Sequence, residues 1–293
     1  WRRADTLYKN TRELKVTTQS LVELRRDNTR AIRIAEAAYK MGLPRPQELA
    51  SQNLAAAGYS SFEEPFYITS VQHNGPIYTA VFSPDGKFIL TASDDGTAKV
   101  WDLKGECVTN LNKHKERIMY AVFSPKGRYI LTASWDKTAK LWDRQGGILA
   151  DLNRHTAPVI FADFSSDGEL ILTASRDGTA KLWDIEGILL KELNHNTSVA
   201  SAVFSPDDKR ILTASWDKTA KLWDRNGKLL KELRHEGALS SGMFSPDGTR
   251  ILTASWDKKA RLWDREGNLL KELEHNAAVT SVVFSPNSSQ MLT

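Results

Sequence analysis

Covalent cross-links and lipid have little to act on in this sequence. One cysteine, Cys107, stands among 293 residues, which excludes an internal disulfide and a cysteine-built metal cluster. No stretch approaches the ~18 uncharged apolar residues of a membrane-spanning helix. The opening Trp1-Arg2-Arg3 runs into polar residues and lacks the apolar centre of a signal peptide. There is no Walker A loop, no glycine-rich dinucleotide fingerprint and no His-Glu-x-x-His, so no cofactor and no catalytic motif is expected. Charge of one sign is also missing. Residues 1–65 hold 11 Lys/Arg against 8 Asp/Glu, or +3, and the rest hold 29 against 28, or +1. A near-neutral body with interspersed signs argues against coating nucleic acid. A reducing, cytoplasmic setting, away from membranes, is the expectation.

What the chain does have is a period. Its six histidines, His73, His114, His155, His195, His235 and His275, are spaced 41, 41, 40, 40 and 40 residues apart. Trp-Asp pairs beginning at Trp101, Trp142, Trp183, Trp223 and Trp263 keep the same step, as do Phe-Ser pairs from Phe82 to Phe284. A fixed period of this length means a repeat architecture. Each unit reads as four short strands. In the fourth, the apolar run Val199–Phe204 ends at Ser205-Pro206-Asp207, and Arg210–Ser215 follows. Asp217-Lys218 then turns into Thr219–Trp223, and Asn226-Gly227, a hairpin dipeptide, leads to Leu229–Leu233.

Four antiparallel strands per unit, with Trp-Asp closing the third, resemble the blades of WD40-repeat β-propellers. The resemblance covers residues 66–293, as five complete repeats and a partial sixth, with residues 1–62 set apart as a helical arm. It implies an all-β propeller of six or seven blades, the last truncated, and a chain that reads as a fragment. Departures are small. The glycine usual before the histidine is replaced by Lys113, Arg154, Asn194, Arg234 and Glu274, and Lys126, Ser166 and Asp208 interrupt the Ser-Pro-Asp-Gly turn. Phe66–Val71 would serve as an outer strand that helps close the ring.

Every unit carries a His, a Ser and an Asp, the residue types of a hydrolytic triad. Repetition in five symmetric positions argues for framework instead. The resemblance implies a buried chain from loop histidine to turn aspartate, strand serine and tryptophan indole. Its members are His73, Ser93, Asp95 and Trp101; His114, Ser134, Asp136 and Trp142; His155, Ser175, Asp177 and Trp183; His195, Ser215, Asp217 and Trp223; and His235, Ser255, Asp257 and Trp263. Histidines tied each to its own turn do not converge as metal ligands must.

Alternation along a strand puts the residue between that serine and aspartate on the outer surface. This position holds Asp94, Trp135, Arg176, Trp216 and Trp256, and propellers of this kind bind partners there. The start of the innermost strand adds Tyr78 and Met119, with Arg117 two residues before the methionine. Tryptophan, tyrosine and arginine are the residues of interface hot spots. A protein partner is the expectation; a sugar or a methylated cation stacking on the tryptophans is the alternative. Units four and five share Ile-Leu-Thr-Ala-Ser-Trp-Asp-Lys at 211–218 and 251–258, so duplication alone also copies a tryptophan.

The arm has helical apolar spacing at Leu7, Leu14, Leu21 and Leu24, then at Ile32, Ile34, Ala35, Ala38 and Tyr39 behind an Asp27 cap. From Leu21 to Phe66 it is similar to the helical linker of bacterial STAND-type signalling NTPases, which joins their ATPase to a WD40 propeller. That likeness implies a sensor module with an ATPase upstream; a free-standing scaffold in a multiprotein complex is the other reading.

Overall fold

The structure, a computed structural model, describes residues 70–293. The expected helical arm and most of Phe66–Val71 therefore lie outside the described residues. Within them stand five four-stranded antiparallel sheets in sequence order and a final two-stranded sheet, Val283–Phe284 with Met291–Leu292. The fourth blade runs Val199–Phe204, Arg210–Ser215, Thr219–Asp224 and Leu229–Arg234 from inside to outside. Those bounds match the strands read from its apolar runs and turn residues to within a residue.

The core lies between blades. The second strand of every blade is buried along both faces, which is why Ile-Leu-Thr-Ala-Ser carries so little charge. In the second to fifth blades the Trp-Asp tryptophan lays its ring against the preceding blade. Trp183 packs with Leu131, Leu141 and Leu152, and Trp223 with Leu172, Leu182 and Leu193. Removing such a ring would cost about 3–5 kcal/mol.

Turns on one face fasten neighbouring blades. Arg225 bonds Asp167 of the preceding blade at 3.0 Å, and Arg265 bonds Asp207 in the same way. Where Lys126 replaces that aspartate, Ile185 stands at the arginine position of the next unit, so both halves of the clasp are exchanged together. Asp208, which interrupts the turn motif, takes the left-handed conformation (φ 54°) that glycine holds in the other complete units. Its carboxylate accepts the backbone N–H of Ser166 at 2.9 Å and that of Asp167 at 3.2 Å, as well as the Ser166 hydroxyl. The interruption exchanges backbone ease for an inter-blade bond.

A β-bulge recurs at one place in every complete blade. Ser93, Ser134, Ser175, Ser215 and Ser255 pair with the first residue of the inner strand, and the preceding alanine pairs with the third. The skipped second residue is Tyr78, Met119, Ile160, Ala200 or Ser240. A bulge re-aims the side chain it carries. Here it acts on the inner-strand residues that border the candidate site.

Candidate functional site

The repeated polar network proves to be organised around threonine. In each complete blade the histidine Nδ1 lies 2.7–3.0 Å from the aspartate Oδ2. Its Nε2 lies 2.7–2.8 Å from a threonine hydroxyl: Thr91, Thr132, Thr173, Thr213 or Thr253. The tryptophan indole donates to that same hydroxyl at 2.8–2.9 Å. The indole thus ends on threonine, not on the serine expected from the sequence. The reason is the strand's period of two: threonine and serine share a face, but threonine lies opposite the third strand, level with the tryptophan's reach.

Serine does something else. Ser215 donates to the loop carbonyls of Thr197 and Ser198 at 3.1 and 2.9 Å, and accepts the backbone N–H of Asp217 at 3.1 Å. Its counterparts Ser93, Ser134, Ser175 and Ser255 are equally buried and bond carbonyls of their own loops. None of these five serines bonds a histidine; the hydroxyl at each imidazole is the buried threonine, which also receives the indole N–H. The threonine missing from the sequence reading was visible as a residue recurring at the same 40–41 step.

A neutral imidazole suits the chain around His73, His155, His195 and His235. The indole donates to threonine, threonine to Nε2, and Nδ1–H to the aspartate. Burial pushes His73, His155, His195 and His235 below the usual imidazole range, outweighing the nearby carboxylate. Burial works to raise the aspartates, but hydrogen bonds to the charged form prevail: Asp95 and Asp217 fall to about 2, and Asp136 and Asp177 lower still. In the fifth blade Lys259 replaces the threonine that follows the turn, and Arg261 pairs with Asp257 at 3.3 Å instead.

Outside this framework, the residues between serine and aspartate meet edge to edge across four blade boundaries. Tyr78 donates to Asp94 at 2.7 Å, and Arg117 of the second blade pairs with Asp94 at 3.2 Å. The Arg117 guanidinium lies 4.2 Å from the Trp135 ring centre, and that of Arg176 lies 4.8 Å from the same ring. Arg176 also reaches within 5.6 Å of Trp216, which packs against Trp256 at 6.0 Å. The result is one continuous band: Tyr78, Asp94, Arg117, Trp135, Arg176, Trp216, Trp256. Trp135 is half-buried between its arginines, and its buried indole N–H has no partner among the described residues. Trp216 and Trp256 are 39% and 56% exposed. Met119 is half-buried at its bulge and joins no polar contact of the band.

Three lysines escaped the sequence reading. Lys137, Lys218 and Lys258 follow Trp135, Trp216 and Trp256 by two residues, and all three are exposed. They hold φ of 72°, 70° and 67°, where Gly96 and Gly178 serve in the other complete blades. The signal was a turn in which Asp-Lys replaces Asp-Gly.

Sequence comparison agrees with this geometry. The model of the WD domain, G-beta repeat family matches residues 66–102, 105–143, 146–184, 187–224, 227–264 and 267–293. This chain belongs to the WD40-repeat family. WD40 propellers are generally non-catalytic and mediate protein–protein contacts. Curated WD40 relatives match over single repeats. Transcription initiation factor TFIID subunit 5 of Arabidopsis thaliana is 45% identical over 38 residues, 13% of this chain and 6% of that protein. WD repeat-containing protein 38 of Mus musculus is 54% identical over 33 residues, 11% of each. The matched stretches thus span a small share of the length of either relative. Among the described residues, no group of three or more His, Cys, Asp or Glu is placed to hold a metal ion.

Proposed function

We propose that this WD40 propeller is a non-catalytic interaction module that holds a protein partner on the band running from Tyr78 to Trp256. The supporting observation is the continuity of that band: side chains some 40 residues apart form one surface, with exposed indoles at one end and arginines beside them. Tryptophan, tyrosine and arginine are enriched among the few residues that carry most of the binding energy in protein interfaces. The subunit named in the TFIID match belongs to a multi-chain factor, which is consistent with an assembly role. Arg117 and Arg176 beside Trp135 oppose a free cation as the ligand, so the band favours protein. Affinity recovery of partners with Trp135, Trp216 and Trp256 all changed to alanine tests the site. Loss of partners with cooperative unfolding retained and only a modest fall in melting temperature is expected; undiminished recovery would remove the band as the interface.

The proposal extends to context. The likeness of residues 21–66 to STAND-type linkers supports a cytoplasmic sensor whose partner or ligand releases an upstream ATPase. An in-frame Walker A motif upstream of codon 1 is the expected finding, and a nearby start codon without one would leave a free-standing scaffold.

A further inference from the structure

The three lysines beside the tryptophans give the band a chemical preference. A side chain at φ near +70° is strained, and glycine takes the same conformation freely in the first and third blades. Strain retained at a surface turn is a pointer to use. Wherever the band position is tryptophan, the strained residue is lysine; beside Asp94 and Arg176 it is glycine. Lys137, Lys218 and Lys258 have no ion-pair partner among the described residues, and neither does Arg176. Arg117 is already neutralised by Asp94. Four cations without an ion-pair partner therefore stand along the band from the second to the fifth blade, with Lys218 and Lys258 each two residues from an exposed indole.

We infer that the band takes an acidic segment of a protein partner, its carboxylates at Lys137, Arg176, Lys218 and Lys258 and an apolar side chain on Trp216 and Trp256. The inference rests on the band being the interface. It goes further in naming the partner's chemistry. A peptide suits the surface better than a nucleic acid because Trp135 is already occupied by two guanidinium groups and Asp94 stands at the band's end, where a phosphate backbone would be repelled.

The probe is a fluorescein-labelled decapeptide of glutamate and serine with one central leucine, measured by anisotropy against the full chain. A lysine-for-glutamate peptide and an oligothymidylate of equal length serve as comparisons. Affinity for the glutamate peptide should exceed that for the lysine peptide by about tenfold at low salt and fall as salt rises. The triple variant Lys137→Gly, Lys218→Gly, Lys258→Gly should weaken it roughly tenfold, as expected for three exposed charge contacts. Because glycine relieves the strained turns, that variant's melting temperature should hold or rise, which separates lost binding from lost folding. No measurable binding of the glutamate peptide, tighter binding of the lysine peptide or the oligothymidylate, or full affinity in the triple variant would each overturn the inference. If the tryptophan variant loses its partners while the glutamate peptide fails to bind, the interface stands and only its acidic preference falls. If that variant keeps its partners, the interface itself is misplaced.

Discussion

Thr213→Val is the sharpest test of how the blades are held together. The change keeps the side chain's shape in a site that is fully buried, so packing is nearly unchanged. It deletes the hydroxyl that accepts from Trp223 Nε1 at 2.9 Å and meets His195 Nε2 at 2.7 Å. Two polar atoms are then stranded, one in a buried indole and one in an imidazole that is itself shut off from solvent. An unsatisfied buried donor or acceptor costs about 1–3 kcal/mol, so the loss from two of them should be roughly 2–6 kcal/mol. Urea unfolding followed by fluorescence measures it, provided the slope matches the wild type, since repeat proteins can lose blades one at a time. Adding Trp223→Phe removes the orphaned indole donor. The double variant should therefore cost less than the sum of the singles by about 1 kcal/mol or more. A loss below about 1 kcal/mol for Thr213→Val, or strict additivity with Trp223→Phe, would refute threonine as the centre of the network.

Other outcomes follow from the same geometry. His195→Ala should cost about 1–3 kcal/mol by stranding Asp217 and Thr213, whereas Trp216→Ala should cost less than ~1 kcal/mol because its ring is partly exposed; equal losses in urea unfolding would place Trp216 wrongly. The network predicts acid lability. Lowered histidines stabilise the fold only while neutral, so stability falls as pH drops through their unfolded value near 6.5. Lowered aspartates add stability above about 3.8 that is lost as pH falls toward 2, so melting temperature should drop in two stages. Asp163 runs the other way. It occupies an inner-strand position held by Val81, Val122, Val203, Met243 and Val283 elsewhere, beside a cavity of about 240 Å³ also lined by Asp208 and Phe244. Burial raises its carboxyl to about 7, with Asp208 adding to the rise. Its ionisation therefore penalises the fold increasingly from about pH 4 to 7, and Asp163→Val should stabilise by on the order of 3 kcal/mol at pH 8 but far less at pH 4. A gain independent of pH would show that Asp163 is ionised throughout.

Much of this protein could be read before any coordinates. The step of 40–41 residues, the Ser-Pro-Asp-Gly and Asn-Gly turns and the apolar second strand determine four-stranded antiparallel units, because such signals act within a few residues of chain. Alternation around the Ser-Trp-Asp and Ser-Arg-Asp triplets also picked out the band residues, since a strand's period of two needs no tertiary information. Only the folded structure decided which of two same-face hydroxyls, Thr213 or Ser215, receives the indole of Trp223, for that depends on strand register to within one residue. It alone placed the bulge that re-aims Tyr78 and Met119. It alone brought Arg117 of the same blade and Arg176 of the next onto Trp135, and set Lys137, Lys218 and Lys258 in a strained conformation two residues from the indoles. The first of these arise from strand register within a blade, and the contacts of Arg176 with Trp135 and of Trp216 with Trp256 from how one blade packs on the next, a relation between segments about 40 residues apart that no local pattern encodes.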